Sequence, residues 1–172
     1  MLNPHEIFAR MPMATAAQLF SFLQEREKPL YKATIDSLAK QRKLRPIFVE
    51  RKPRDERYKW LRDTLGKKAG AAISAHLLQI WLVGAHKDIL CDFLDALGIE
   101  HDENGTIDNL PPSPDKATLE KAIASLVEKH DAAVVAVYLH AFQALDDTGG
   151  WAPLDELLAE DSRLQLEPVP AA

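Results

Sequence analysis

Two stretches, residues 69–86 and 132–145, contain no Asp, Glu, Lys or Arg in a chain that is 27% charged. Each is long enough for about four to five turns of α-helix. A helix that carries no charge on any side belongs in a protein interior, so both are expected as buried helices at the centre of the fold. Taken alone, Val134-Val135-Ala136-Val137-Tyr138 has the composition of a buried strand. Leu139, Phe142 and Leu145 continue it at helical spacing, and that length selects a helix. In the other segment Gly70, Ser74, His76, Gln79 and Gly84 break up the apolar surface. It therefore lacks the ~20 predominantly apolar residues of a membrane span, and no membrane partner is expected.

Helix punctuation is dense elsewhere. Asn3-Pro4 starts a short helix ending near Met11, and Thr15 offers an N-cap to a second helix with Leu19, Phe20 and Leu23 on one side. Pro29 opens a third, in which Tyr31, Ile35 and Leu38 form the apolar row and Lys32, Lys40, Arg42 and Lys43 take the remaining faces. Arg45 precedes a proline and is biased to extended backbone, so Ile47-Phe48-Val49 is read as a short strand or a buried loop. Pro53 restarts a helix through Leu65 with Tyr58, Leu61 and Leu65 inward, closed at Gly66. Favourable spacing predicts the ion pairs Asp55 with Lys59 and Asp63 with Lys67. Later helices are predicted over 87–97, closed at Gly98, over 114–129 with Ser113 as N-cap, and from Pro153, with a frayed tail from Glu167.

About eight helices with strands marginal or absent make an all-α, antiparallel multi-helix bundle. At 172 residues one continuous globular unit is expected, organised as a basic N-terminal lobe over 1–68, a helical core with an acidic flank over 69–166, and a tail over 167–172. The lone Cys91 permits no intramolecular disulfide, and the N-terminus lacks the charged start and unbroken apolar run of a secretory signal. A cytoplasmic location is expected.

Charge divides the chain in two. Residues 26–68 hold 15 Lys or Arg against 6 Asp or Glu, whereas residues 86–172 hold 5 against 18. Such polarity speaks of partners, because concentrated like charge attracts an opposite surface and repels its own kind. Lys40, Arg42, Lys43, Arg45, Arg51, Lys52, Arg54 and Arg57 are the candidate anion- or nucleic-acid-binding residues, and Tyr58 and Trp60 among them invite a stacking role. The two helices before Pro46, followed by an extended segment, also have the coarse layout of a helix-turn-helix with a wing. Against nucleic acid stands the net charge of -5, which makes the far field of the whole chain repel polyanions.

Catalytic signatures are missing from the sequence. There is no G-x-S-x-G, H-E-x-x-H, G-x-x-x-x-G-K or G-x-G-x-x-G. The loop from Glu100 to Pro111 matches an EF-hand in its middle, but Glu100 and Pro111 stand at the two end ligand positions, and an Asn104-Gly105 turn explains the same residues. Asp88, Asp92 and Asp95 share one helical stripe and read as a solvated acidic face. His86 and Cys91 form the centre of an alternative reading as a metal-dependent or cysteine enzyme, although a cysteine between Leu90 and Phe93 reads first as packing. His140 and Trp81 read as a hydrogen-bonded core residue and a core anchor. No catalytic residue, metal ligand or cofactor is assigned. The expected role is a non-enzymatic interaction or adaptor protein that meets a protein partner, or itself, through the basic flank or the acidic loop at 100–115; binding of nucleic acid through residues 40–68 is the alternative.

Overall fold

The computed structural model describes residues 1–146 and 149–169. Among these residues there are ten α-helices: α1 (Pro4–Arg10), α2 (Met13–Arg26), α3 (Lys28–Gln41), α4 (Pro46–Glu50), α5 (Arg54–Leu65), α6 (Ala71–Ala85), α7 (Lys87–Ala96), α8 (Lys116–Lys129), α9 (Ala132–Leu145) and α10 (Ala152–Glu160). Two 3-10 turns, Lys68–Gly70 and Ser162–Leu164, complete them, and no described residue lies in a strand. The protein is an all-α helical bundle, as its periodicity predicts, with a somewhat higher helix count.

The helix without a counterpart in the sequence reading is α4. Arg45 is extended before the proline (φ -77°, ψ 135°), and Pro46 then starts one helical turn in place of the strand or loop expected for Ile47-Phe48-Val49. A strand needs a neighbouring strand to take up its backbone groups. The turn satisfies them locally, with Phe48 N donating to Arg45 O and Arg51 N to Ile47 O. Two helix starts also shift. Helix α2 begins at Met13, which places Thr15 inside it and buried. Asp115, not Ser113, caps α8, its carboxylate accepting from Thr118 N at 2.7 Å.

The chain forms two compact units that divide inside α6, between Trp81 and Leu82. The first runs from Asn3 to Trp81 and includes the segment from Glu167. In it α1 packs on α5, α2 on α3 and α5, and α3 on α4 and α5. The predicted rows Leu19, Phe20 and Leu23 of α2, Ile35 and Leu38 of α3, and Tyr58, Leu61 and Leu65 of α5 are all buried. Burial of one such side chain is worth about 1.5–3 kcal/mol, so these rows hold the unit together. Arg62 is buried too, donating to Met11 O and to the Asp63 carboxylate. The tail is held at its start, where Glu167 N donates to Arg10 O; the last three residues of the expected frayed end, 170–172, lie outside the described residues.

The second unit contains residues 1–2 and 82–166. There α8 packs on α7, α9 and α10, and α9 also takes α10 and the turn at Ser162–Leu164. Every residue of α9 from Val134 to Ala141 is buried, so this uncharged helix is central as expected. Helix α6 is not. Only Ser74, Leu77, Leu78, Trp81 and Leu82 are buried, at the spacing of one face, while Ala72, His76, Gln79 and Val83 are exposed. Its Ala, Gly, Ser, His and Gln residues lack formal charge without requiring an apolar environment, which is why the lack of charge misled.

Around α9 an aromatic cluster forms. Phe93 lies edge-on to Tyr138 and Phe142, with centroids at 5.8 and 5.5 Å, and Trp151 approaches Phe142 at 5.1 Å. Gln143 fixes the entry to α10 from within this core: its Nε2 donates to Trp151 O at 3.0 Å and its Oε1 accepts from Trp151 N at 2.7 Å. His140 is buried and bonded through Nε2 to Leu164 O, and Trp81 is buried, as their positions in uncharged helices predict.

Candidate interaction site

The eight candidate cations run from the end of α3 (Lys40) through the turn after it (Arg42, Lys43, Arg45) and the residues after α4 (Arg51, Lys52) into the start of α5 (Arg54, Arg57). Helix α3 closes with Leu44 N donating to Ala39 O at 2.8 Å and Lys43 N to Lys40 O at 3.1 Å, a Schellman arrangement. That motif requires a left-handed residue, and the residue there is Lys43, at φ 56°. The same motif ends α7, where Ile99 N reaches Leu94 O and the left-handed position is held by Gly98, at φ 69°. Lys43 is the one non-glycine residue with positive φ among the described residues. A side chain in this region costs about 1–2 kcal/mol.

Of the eight candidate cations, Lys40, Arg42, Lys43, Arg45, Arg51 and Arg54 are exposed, and Lys52 and Arg57 are half-buried. None of the eight forms an ion pair among the described residues. Arg57 is the most constrained, donating from Nε to the Tyr31 hydroxyl at 2.8 Å and from Nη1 to Lys52 O at 3.1 Å. It braces α5 against the segment that carries the others. The predicted pairs Asp55 with Lys59 and Asp63 with Lys67 do not form. Asp63 instead accepts from Lys59 at 2.8 Å and from Arg62 at 3.1 Å, and these donors hold its carboxyl below the usual range against the opposing effect of burial.

Three large apolar side chains stand among these cations, exposed to water: Leu44 at 41%, Ile47 at 41% and Phe48 at 61%. The expectation of a short strand or a buried loop for Ile47-Phe48-Val49 does not anticipate the exposure of Ile47 and Phe48. Val49 alone is buried and roots α4 in the unit. The expected stacking aromatics are placed otherwise. Tyr58 is buried, donating from its hydroxyl to Gln24 Oε1 at 2.7 Å, with Arg54 and Arg57 against its ring, and Trp60 is half-buried. The winged layout also lapses, since the segment after Pro46 is helical.

In the acidic half, the stripe Asp88, Asp92 and Asp95 is engaged by histidines. His130 Nε2 meets Asp92 at 2.7 Å and its Nδ1 lies 3.7 Å from Asp88, while His101 Nε2 meets Asp95 at 2.7 Å. His130 carries no motif, and 38 residues separate it from Asp92, so no local spacing could have revealed the pair. The loop at Asp102 is a turn: its Oδ1 accepts from Asn104 N and Thr106 N, with Gly105 left-handed at φ 74°. These backbone donors keep the Asp102 carboxyl below its ordinary range. No group of three or more His, Cys, Asp or Glu side chains among the described residues is placed to hold a metal ion. Burial, then the charge of Asp95, raises the thiol of Cys91 above its ordinary value, and its Sγ lies 3.9 Å from Glu103 O. That environment favours the unreactive thiol.

Among the described residues no helix is long and apolar enough to cross a membrane. Comparison with known proteins finds no matching family model, no matching curated protein and no matching solved structure.

Proposed function

We propose that this chain is a non-enzymatic interaction module that presents residues 40–54 to a partner protein bearing carboxylates. The observation that carries the reading is that all eight candidate cations lack ion pairs among the described residues and six are exposed. A cation at a surface is screened over ~8 Å at physiological salt, so a cluster of them acts on a partner that comes close. The acidic loop is the weaker docking surface. Two of its five carboxylates have tasks inside the chain, Asp102 in its own turn and Asp115 as a helix cap. The thiol state of Cys91 supports the non-enzymatic reading over a cysteine nucleophile. We place the protein in the cytoplasm, where a lone free cysteine stays reduced.

Nucleic acid is the second reading, favoured by the same unpaired cations and disfavoured by the burial of Tyr58. It requires log K to fall by ~0.7–0.9 per phosphate neutralised as log salt rises. Retention on a carboxylate cation-exchange resin at neutral pH tests the main reading. A chain of net charge -5 should pass through unless one exposed face is strongly basic. The reading expects retention, released by salt; passage without delay at low salt would remove it.

A further inference from the structure

We propose that the partner at this site is an acidic amphipathic peptide segment, which seats apolar side chains on Leu44, Ile47 and Phe48 and directs carboxylates to Arg42, Arg45 and Arg51. This rests on the reading of residues 40–54 as the docking surface and adds the class of occupant. The remaining large exposed apolar residues, Met1, Val83, Leu145 and Val169, are far apart in sequence, whereas these three fall within five consecutive positions. Exposed apolar side chains interleaved in sequence with exposed cations, Leu44 between Lys43 and Arg45 and Phe48 ahead of Arg51, combine the apolar and polar elements of a protein interface. They are also held ready. The Schellman closure fixes Leu44, Pro46 sets the start of α4 and buried Val49 anchors it, so little ordering remains for the moment of binding.

Charge complementarity selects the partner. Five of the eight cations are arginine, namely Arg42, Arg45, Arg51, Arg54 and Arg57. Arginine is less strongly hydrated than lysine, matches a carboxylate with a planar fork and is enriched at protein interfaces where lysine is depleted. Nucleic acid would use aromatic faces for its bases. Phe48 offers one, Tyr58 is withdrawn into the core, and Leu44 and Ile47 offer none. The strained Lys43 places one more cation at the apex, at a position that glycine fills in α7.

Fluorescence anisotropy on the full chain distinguishes the possibilities, using four labelled probes: a peptide with Glu on one helical face and Leu and Phe on the other, an oligoglutamate of equal charge, a single-stranded oligonucleotide, and phosphatidylserine vesicles. The expected result is that the amphipathic peptide binds about tenfold more tightly than oligoglutamate, and that Phe48→Ser removes this advantage while leaving oligoglutamate binding unchanged. Arg42→Glu with Arg45→Glu should abolish both. Equal affinity for the two peptides, or indifference to Phe48→Ser, overturns the inference and leaves the charge reading standing. Tighter binding to the oligonucleotide or the vesicles, lost on Phe48→Ser, overturns it in favour of that partner. Failure to bind any of the four overturns both readings.

Discussion

Lys43 and Gly98 occupy equivalent places in two helix ends, and the difference between them is informative. At φ 56° a lysine is strained where glycine at φ 69° is at ease. Lys43→Gly should raise stability by about 1 kcal/mol in a denaturation experiment while weakening capture of anions. A gain in stability with binding unchanged would make Lys43 an incidental occupant of the turn. His101 offers a residue-scale test of the acidic half. Its hydrogen bond to Asp102 O, then its bond to Asp95, raises its pKa above the ordinary histidine value. Its protonated form is therefore favoured by folding. That contribution is fully present below the unfolded pKa and is lost as pH rises through the raised folded value. An imidazole titration followed by NMR should give a midpoint above ~6.5, and Asp95→Asn should lower it. His86 works in the opposite sense, because burial lowers its pKa and its contribution is lost as pH falls. Such effects were outside what the sequence could show: a left-handed lysine carries no signature, and the partners of His130 and His101 are set by packing.

Among the elements, those with a clean period were legible in advance. Rows such as Leu19, Phe20 and Leu23, or Tyr58, Leu61 and Leu65, are buried because a 3.6-residue repeat leaves them one common face. Gly98 was readable as a stop for the same reason that it now takes a positive φ. Helix α4 was not readable. Ile-Phe-Val following an X-Pro step has strand composition, but there is no strand among the described residues to pair with it, and the segment is a helical turn with two of its three apolar residues in water. Helix α6 differs in another way, because its Ala, Gly, Ser, His and Gln residues lack charge without requiring burial. The contact that most depends on an exact partner is between α9 and α10. Gln143 satisfies both the N–H and the C=O of buried Trp151, and Gly150, left-handed at φ 72°, lies so close that an added Cβ would run into the Gln143 amide. Gln143→Leu leaves the buried Trp151 N–H unpaired, while Trp151 O keeps the bond from Asp155 N at 3.1 Å, and should destabilise the protein by about 1–3 kcal/mol, measured by chemical denaturation. A change below about 0.5 kcal/mol would mean that water or another side chain takes over this bond.

At the scale of the whole molecule, net charge and local charge give opposite expectations. A net of -5 predicts repulsion from any anionic surface, while the exposed, unpaired cations between Lys40 and Arg54 predict capture by one. The candidate residues could be named from composition alone; their exposure and that of the apolar residues among them could not, because both depend on how α3, α4 and α5 pack. Two triple variants separate place from charge. Arg42→Glu/Lys43→Glu/Arg45→Glu reverses the apex, and Lys28→Glu/Lys32→Glu/Lys68→Glu reverses three cations outside it that are also exposed. Each substitution changes the charge by -2, so both variants carry -5 - 6 = -11. Elution from the carboxylate resin along a salt gradient is the decisive measurement. Retention lost in the first variant and largely kept in the second is the predicted result; equal loss in both, or retention kept in the first, would contradict an interaction site at the end of α3 and α4.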